Sequence, residues 1–200
     1  MKRTWLIVML NLVVAIAMAQ KPDSVALKLQ KNKGVKSATV NGYTMLSSQN
    51  IIQNFTNAKN YSVLLNAIKA AGLTETFESK GPITIFAPTN SAFSKMPAGA
   101  LDTLLLPAHK YDLSSLVTYH AIAGKVSAKD ISRNIKEHKG AATYITLAGS
   151  KLTATFDAYG NIILTDETGG RCVISQFDVE QSNGMLHVVD SVIVPKIKVI

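Results

Sequence analysis

An α+β fold is what this sequence predicts, on three observations. Apolar residues recur at helical spacing from Ser47 to about Tyr119, whereas after residue 140 they alternate with a period of two. The two regimes follow one another along the chain, which favours helices flanking a mostly antiparallel sheet over a wound parallel one. Glycine-containing turn signals punctuate the second half at the short intervals of a meander. With no internal repeat or low-complexity tract, one copy of one domain is expected over residues 45–196, with 197–200 as a short tail.

Taken in order, Ser48 is placed to cap a short helix carrying Ile51, Ile52 and Phe55 on one side. A longer helix runs from Tyr61, with Leu64, Leu65, Ile68 and Ala71 on one stripe and Gly72 as its stop. Pro82 opens the β-branched and aromatic run Ile83–Ala87, a buried strand that Pro88 closes. Pro88 lacks an N–H and holds its predecessor extended, and Thr89 or Asn90 then caps the next helix, which carries Phe93 and Met96. Leu101, Leu104 and Leu105 continue helically to Pro107. Asp112–Tyr119 makes a further helix with Leu113, Leu116 and Val117 inward, and Gly124 terminates the apolar segment beyond it.

In the second half, Thr143–Leu147 and Lys151–Phe156 form a hairpin through Ala-Gly-Ser. Turns at 157–161 and 166–170 bracket a strand at Ile162–Thr165. Cys172–Phe177 and Met185–Val194 complete the sheet, the latter fed by the turn dipeptide Asn183-Gly184. In a regular strand His187 and Asp190 face opposite sides, so they make no natural catalytic pair.

The N-terminus carries an address rather than a fold element. Lys2 and Arg3 precede an apolar run from Trp5 to Ile16, and Ala17-Met18-Ala19 is a small-residue cleavage site, so residues 1–19 are a secretory signal peptide. The apolar run is too short to span a bilayer, and no transmembrane segment comes after it. The mature protein is expected to be secreted, extracellular or periplasmic. Cys172 is its one cysteine, so the domain is held without an intrachain disulfide; the bland reading of that thiol is a small core residue. The short signal peptide and the disulfide-free domain fit a bacterial source.

The net charge of +8 is unevenly placed. Residues 20–44 hold Lys21, Lys28, Lys31, Lys33 and Lys36 against Asp23, whereas 45–200 is close to neutral. Lys28, Lys31, Lys33 and Lys36 are therefore candidate contacts for an anionic polysaccharide or lipid head groups from a basic arm. Export argues against nucleic acid as the partner.

Three segments carry a resemblance: Thr84-Ile-Phe-Ala-Pro-Thr-Asn-Ser-Ala-Phe93, the pair Tyr119-His120 at a helix end, and Asn183-Gly-Met-Leu-His-Val-Val-Asp-Ser-Val-Ile-Val-Pro195. Together, from about Met45 to Pro195, they resemble the fasciclin-like domain family. The resemblance implies a β-wedge or β-sandwich of mostly antiparallel strands flanked by short helices, in secreted or surface-displayed adhesion and matrix proteins. It also implies where contacts sit. Receptor-binding members carry an Asp-Ile pair before the last segment, and the matching positions here are Asp178 and Val179, one methylene smaller. The adhesive role attaches as well to the Tyr119-His120 neighbourhood, flanked by Val117 and Ile122. Against these stand the bland alternatives of a solvated aspartate and a satisfied core histidine.

Motifs for catalysis do not appear. His109, His120, His138 and His187 form no metal-ligand spacing, and there is no G-x-S-x-G elbow, P-loop or dinucleotide fingerprint. No enzyme activity, cofactor or metal is expected. The function expected instead is a non-enzymatic module that binds a cell-surface or matrix protein or polysaccharide; the alternative is a carrier of a small hydrophobic ligand in an apolar pocket.

Overall fold

The computed structural model describes residues 34–196. Lys28, Lys31, Lys33 and the signal peptide lie outside the described residues. The first element is a hairpin of β1 (Ser37–Val40) and β2 (Tyr43–Leu46). Asn41 and Gly42 connect them with φ of 48° and 84°, the left-handed geometry of the tightest hairpin turn, which Asn-Gly adopts readily. This hairpin belongs to the unit that runs from Val35 onward, ahead of the domain start expected at Met45.

Helices come next. In α1 (Ile51–Asn57) the cap is Asn50, not Ser48: the Asn50 side chain accepts from Gln53 N while the Gln53 side chain accepts from Asn50 N. That reciprocal pair satisfies two orphan amides, and no Ser48 cap competes with it. A 3₁₀ turn at Lys59–Tyr61 leads into α2 (Ser62–Ala70), which buries Leu64, Ala67 and Ile68, and a short α3 (Thr74–Glu78) buries Phe77. After β3 (Ile83–Pro88), Thr89 caps α4 (Asn90–Phe93) by accepting from Ala92 N. The helices α5 (Ala100–Leu104) and α6 (Lys110–Tyr119) lead to β4 (Ala121–Ala123), and then α7 (Ala128–Glu137) starts at a capping box of Ser127 and Asp130. The meander β5 (Ala141–Ile145), β6 (Lys151–Phe156), β7 (Ile162–Thr165), β8 (Arg171–Gln181) and β9 (Gly184–Val189) closes the order.

Among the described residues β3 to β9 form one sheet in the order β4-β3-β9-β8-β7-β6-β5. Its neighbours are antiparallel except β3 and β9, which run parallel with Phe86 opposite His187. The two ends of the sheet touch: Ile122 bridges Thr146, and Leu147 N donates to Ala121 O at 2.7 Å. The sheet is thus a wedge nearly closed into a barrel. From α7, Ile131 and Ile135 join Leu152, Ala154 and Leu164 in one buried core. On the other side of β3 and β9, the helices α1 to α3 build a second core around Phe55, Tyr61, Leu64, Ile68 and Phe77.

β9 departs from the expected alternating strand. Every residue from Gly184 to Val189 is buried and the strand stops at Val189, because it lies between β3 and β8 with cores on both faces. β8 is longer than expected and contains register shifts between Ile174 and Gln176 and between Gln176 and Val179.

Candidate functional site

Tyr119 ends α6 and points into the wedge, fully buried. Its hydroxyl donates to Lys151 O at 2.7 Å and accepts from Glu167 N at 3.1 Å, tying β6 to the turn after β7. Burial pushes the phenol up to about 12, with the negative charges of Asp166 and Glu167 adding and the Glu167 amide opposing. It stays neutral.

His120 is 1% exposed. Its Nδ1 lies 2.8 Å from Leu116 O, which can only accept, so Nδ1 carries the proton; Nε2 accepts from Ile193 N at 3.2 Å. The ring therefore staples the last turn of α6 to the segment after β9. Asp166 fastens the same segment by accepting from Val194 N at 2.9 Å, while it also accepts from Thr168 N and Gly170 N within its own turn. Burial lowers the His120 value to about 4, since the cation would lose its water; the Leu116 carbonyl and Asp166 offset this only in part.

That depression makes stability pH-dependent. The unfolded histidine takes up a proton near pH 6.5 whereas the folded one resists to about 4. The contribution is therefore full above about pH 6.5 and is lost as pH falls through that window, up to roughly 3 kcal/mol. His187, also lowered by burial, acts in the same direction. Urea unfolding between about pH 7 and 4.5 is expected to show falling stability with acid. The variant His120→Gln should take up about one proton fewer on unfolding at the acid end. An unchanged slope would remove His120 as the cause.

Flanking the pair, Val117 and Ile122 are each 2% exposed. Asp178 and Val179 part company. Asp178 is exposed and sits inside β8 rather than in a loop, at the bulge, with φ of 55°. Its carboxylate accepts from Ala128 N at 2.8 Å, the first residue of α7, and its own N–H donates to His187 Nδ1 at 3.3 Å. Val179 points the other way and is 1% exposed. Five of the six expected contact side chains, Val117, Tyr119, His120, Ile122 and Val179, are thus inside, where a partner docking on this surface does not touch them. Asp178 alone faces water, and it is already engaged as a helix-terminal acceptor. The physical reason is the sheet: the Tyr-His pair sits where the wedge closes, and pleating turns Asp178 and Val179 to opposite faces of β8.

The domain model for the fasciclin family matches residues 59–195. The chain belongs to the fasciclin domain family. Among its relatives, protein sll1483 of Synechocystis is 38% identical over 160 residues, covering 80% of this chain and 81% of that one. The cell surface glycolipoprotein MPB83 of Mycobacterium bovis is 34% identical over 115 residues, 58% of this chain and 44% of its own length. In structure, a FAS1 domain pair from the insect cell adhesion molecule Fasciclin I superposes with a TM-score of 0.63 at 16% identity. That match covers 75% of this chain and about half, 51%, of the insect chain, as one member of a pair would. The wedge described above is therefore the fasciclin fold.

In this fasciclin domain the remaining reactive groups are likewise committed. His187 Nε2 donates to Val126 O at 2.9 Å and its ring stacks on Phe86 at 5.7 Å, while Asp190 accepts from Val173 N and meets Lys95. The two do not meet, in keeping with their expected opposite orientation. Cys172 is buried and its thiol is pushed up to about 12, largely by burial. Among the described residues no three His, Cys, Asp or Glu side chains group as metal ligands, and no helix is long and apolar enough to cross a membrane.

Two surface clefts went unread in the sequence. One, of about 190 Å³, lies between β1, β2 and the β8 bulge and is lined by Lys36, Met45, Asp178 and Glu180. Lys36 Nζ is 2.9 Å from Glu180 there, so this arm lysine already has an anion. The other, of about 450 Å³, is lined only by Asn, Ser and Thr. Its residues come from positions 41 to 94 and are individually ordinary turn and cap types, so spacing offered no signal for it.

Proposed function

We propose that the protein is an exported, non-enzymatic adhesion module that binds a protein or polysaccharide of a cell surface or matrix. Fasciclin membership carries this reading, with relatives described as a cell surface glycolipoprotein and a cell adhesion molecule. The chemistry supports it. Both buried histidines are neutral and consumed by internal bonds, and Tyr119 and Cys172 are held protonated. Such groups brace a scaffold rather than move protons for a substrate. Export rests on residues 1–19, with Gln20 as the first residue of the mature chain.

The test is sedimentation of purified residues 20–200 with intact envelopes or extracellular matrix from the native host. Saturable retention in the micromolar range is expected. Retention no greater than that of an unrelated protein of equal charge would overturn the proposal.

A further inference from the structure

The uncharged cleft is a built feature. It lies where three separate segments meet: the β1–β2 turn with Asn41, the 3₁₀ turn with Asn60, and the single turn of α4 with its flanking residues, Thr89, Asn90, Ser91 and Ser94. Internal bonds hold these walls in place. Asn60 Nδ2 donates to Asn41 O at 2.8 Å, and Asn90 Nδ2 donates to Lys59 O and Ser62 Oγ, both at 3.0 Å. Asn90 Oδ1 accepts from Val63 N at 3.0 Å, so that amide is fully used as a clamp.

What the bonds leave over decides the ligand. Asn41 uses Nδ2 toward Tyr61 Oη and Asn60 uses Nδ2 toward Asn41 O; among the described residues the Oδ1 of each accepts nothing. Thr89 and Ser91 share one bond of 2.8 Å between their hydroxyls, and Ser94 donates to Asn90 O while keeping lone pairs free. The cleft thus offers both acceptors and unused amide hydrogens, and no charge. An anion finds no cation among its lining residues, and a lipid or apolar ligand would strip water from amides without replacing their bonds. A ligand rich in hydroxyls, which both donate and accept, and without charge matches these groups on pre-ordered walls. The volume of about 450 Å³ has room for a short oligosaccharide segment.

We propose that this cleft binds a neutral saccharide. The inference rests on the surface-interaction reading above and assigns it a place and a ligand class.

Titration of ¹⁵N-labelled residues 20–200 with cellohexaose, xylohexaose and chitohexaose, monitored by amide shifts, tests it. At least one sugar should saturably move the amides of Asn41, Asn60, Ser91 and Ser94 with weak affinity. Ser91→Ala and Asn41→Gly should each weaken binding about fivefold. Ser91 is exposed, so Ser91→Ala should fold with an unchanged unfolding midpoint; glycine accepts the φ of 48° at residue 41, so Asn41→Gly should stay folded and lose only the bond to Tyr61 Oη, at a somewhat lower midpoint. No saturable shift in the cleft with any of the three sugars, or shifts that persist undiminished in the variants, would overturn the site. The two proposals fail separately. Envelope retention without sugar binding removes the cleft and leaves the adhesion reading; sugar binding without envelope retention does the reverse.

Discussion

Gly184→Ala is expected to abolish the folded domain. Gly184 opens β9 and pairs in parallel register with Ile83 of β3. A methyl group there would be driven onto the Ile83 carbonyl oxygen and would stand only 2.8 Å from its carbon and 2.9 Å from its nitrogen. All three atoms are backbone, so no rotamer change relieves the overlap. The strands would have to separate at the one parallel seam of the sheet, between both cores. The cost is expected to exceed about 4 kcal/mol, a large part of the total stability of such a domain. Soluble yield and circular dichroism measure it directly. Gly42→Ala is the control: its methyl group meets nothing within 4 Å, so only the positive φ is strained, at about 1–2 kcal/mol. If Gly184→Ala unfolds at the wild-type urea midpoint, the close approach of the strands is refuted.

A loss of about 3 kcal/mol or more is expected for Asn183→Ala. This side chain is buried and joins three elements. Its Oδ1 accepts from Ile51 N, the first amide of α1, at 3.1 Å. Its Nδ2 donates to Phe77 O at 2.8 Å and Ser79 O at 3.1 Å, at the end of α3. Alanine leaves the Ile51 amide and the Phe77 carbonyl without partners in the interior, and removes the bond to the Ser79 carbonyl nearer the surface. Asn183→Asp keeps the acceptor but faces two carbonyls with a carboxylate, so it is expected to be no milder. Urea midpoints measure both, and faster hydrogen exchange at the Ile51 amide would locate the damage. A shift below about 1 kcal/mol would show that water or backbone movement replaces these bonds.

Much of the fold was legible because its signals are local. Ile83–Ala87, the hairpin across Ala-Gly-Ser and the helix ending at Tyr119 each declare themselves within a few residues, through β-branched runs, turn chemistry and helical spacing. Other elements were missed although their signals are present. Asn41-Gly42 makes a hairpin at the edge of what composition marked as a basic arm, because strands of four residues are too short for their alternation to stand out beside the lysines. The Ser127–Asp130 box announces α7, whose polar outer face hides the buried pair Ile131 and Ile135. The parallel pairing of β3 with β9 could not be read, since it joins residues about a hundred positions apart.

The site was less legible than the fold. The Tyr119-His120 pair was visible, but its consequence depends on burial, and burial depends on where α6 meets the closing wedge. The Asp178-Val179 pair was visible too, but that it lies within β8, where pleating sends one residue to water and the other to the core, depends on the strand running on past an irregularity in its pairing with β9. The neutral cleft left no trace in spacing at all.

By itself, the sequence determined the α+β class and the absence of a disulfide framework, because these follow from periodicity, turn chemistry and residue counts, and three of its segments carried the resemblance to the fasciclin family. Tertiary structure decided which side chains a partner can reach. Exposure and hydrogen-bond satisfaction are properties of surfaces meeting across the chain, and here that meeting made His120 a neutral staple, turned Asp178 into a helix-terminal acceptor, and left Asn41 and Asn60 with oxygens open to solvent.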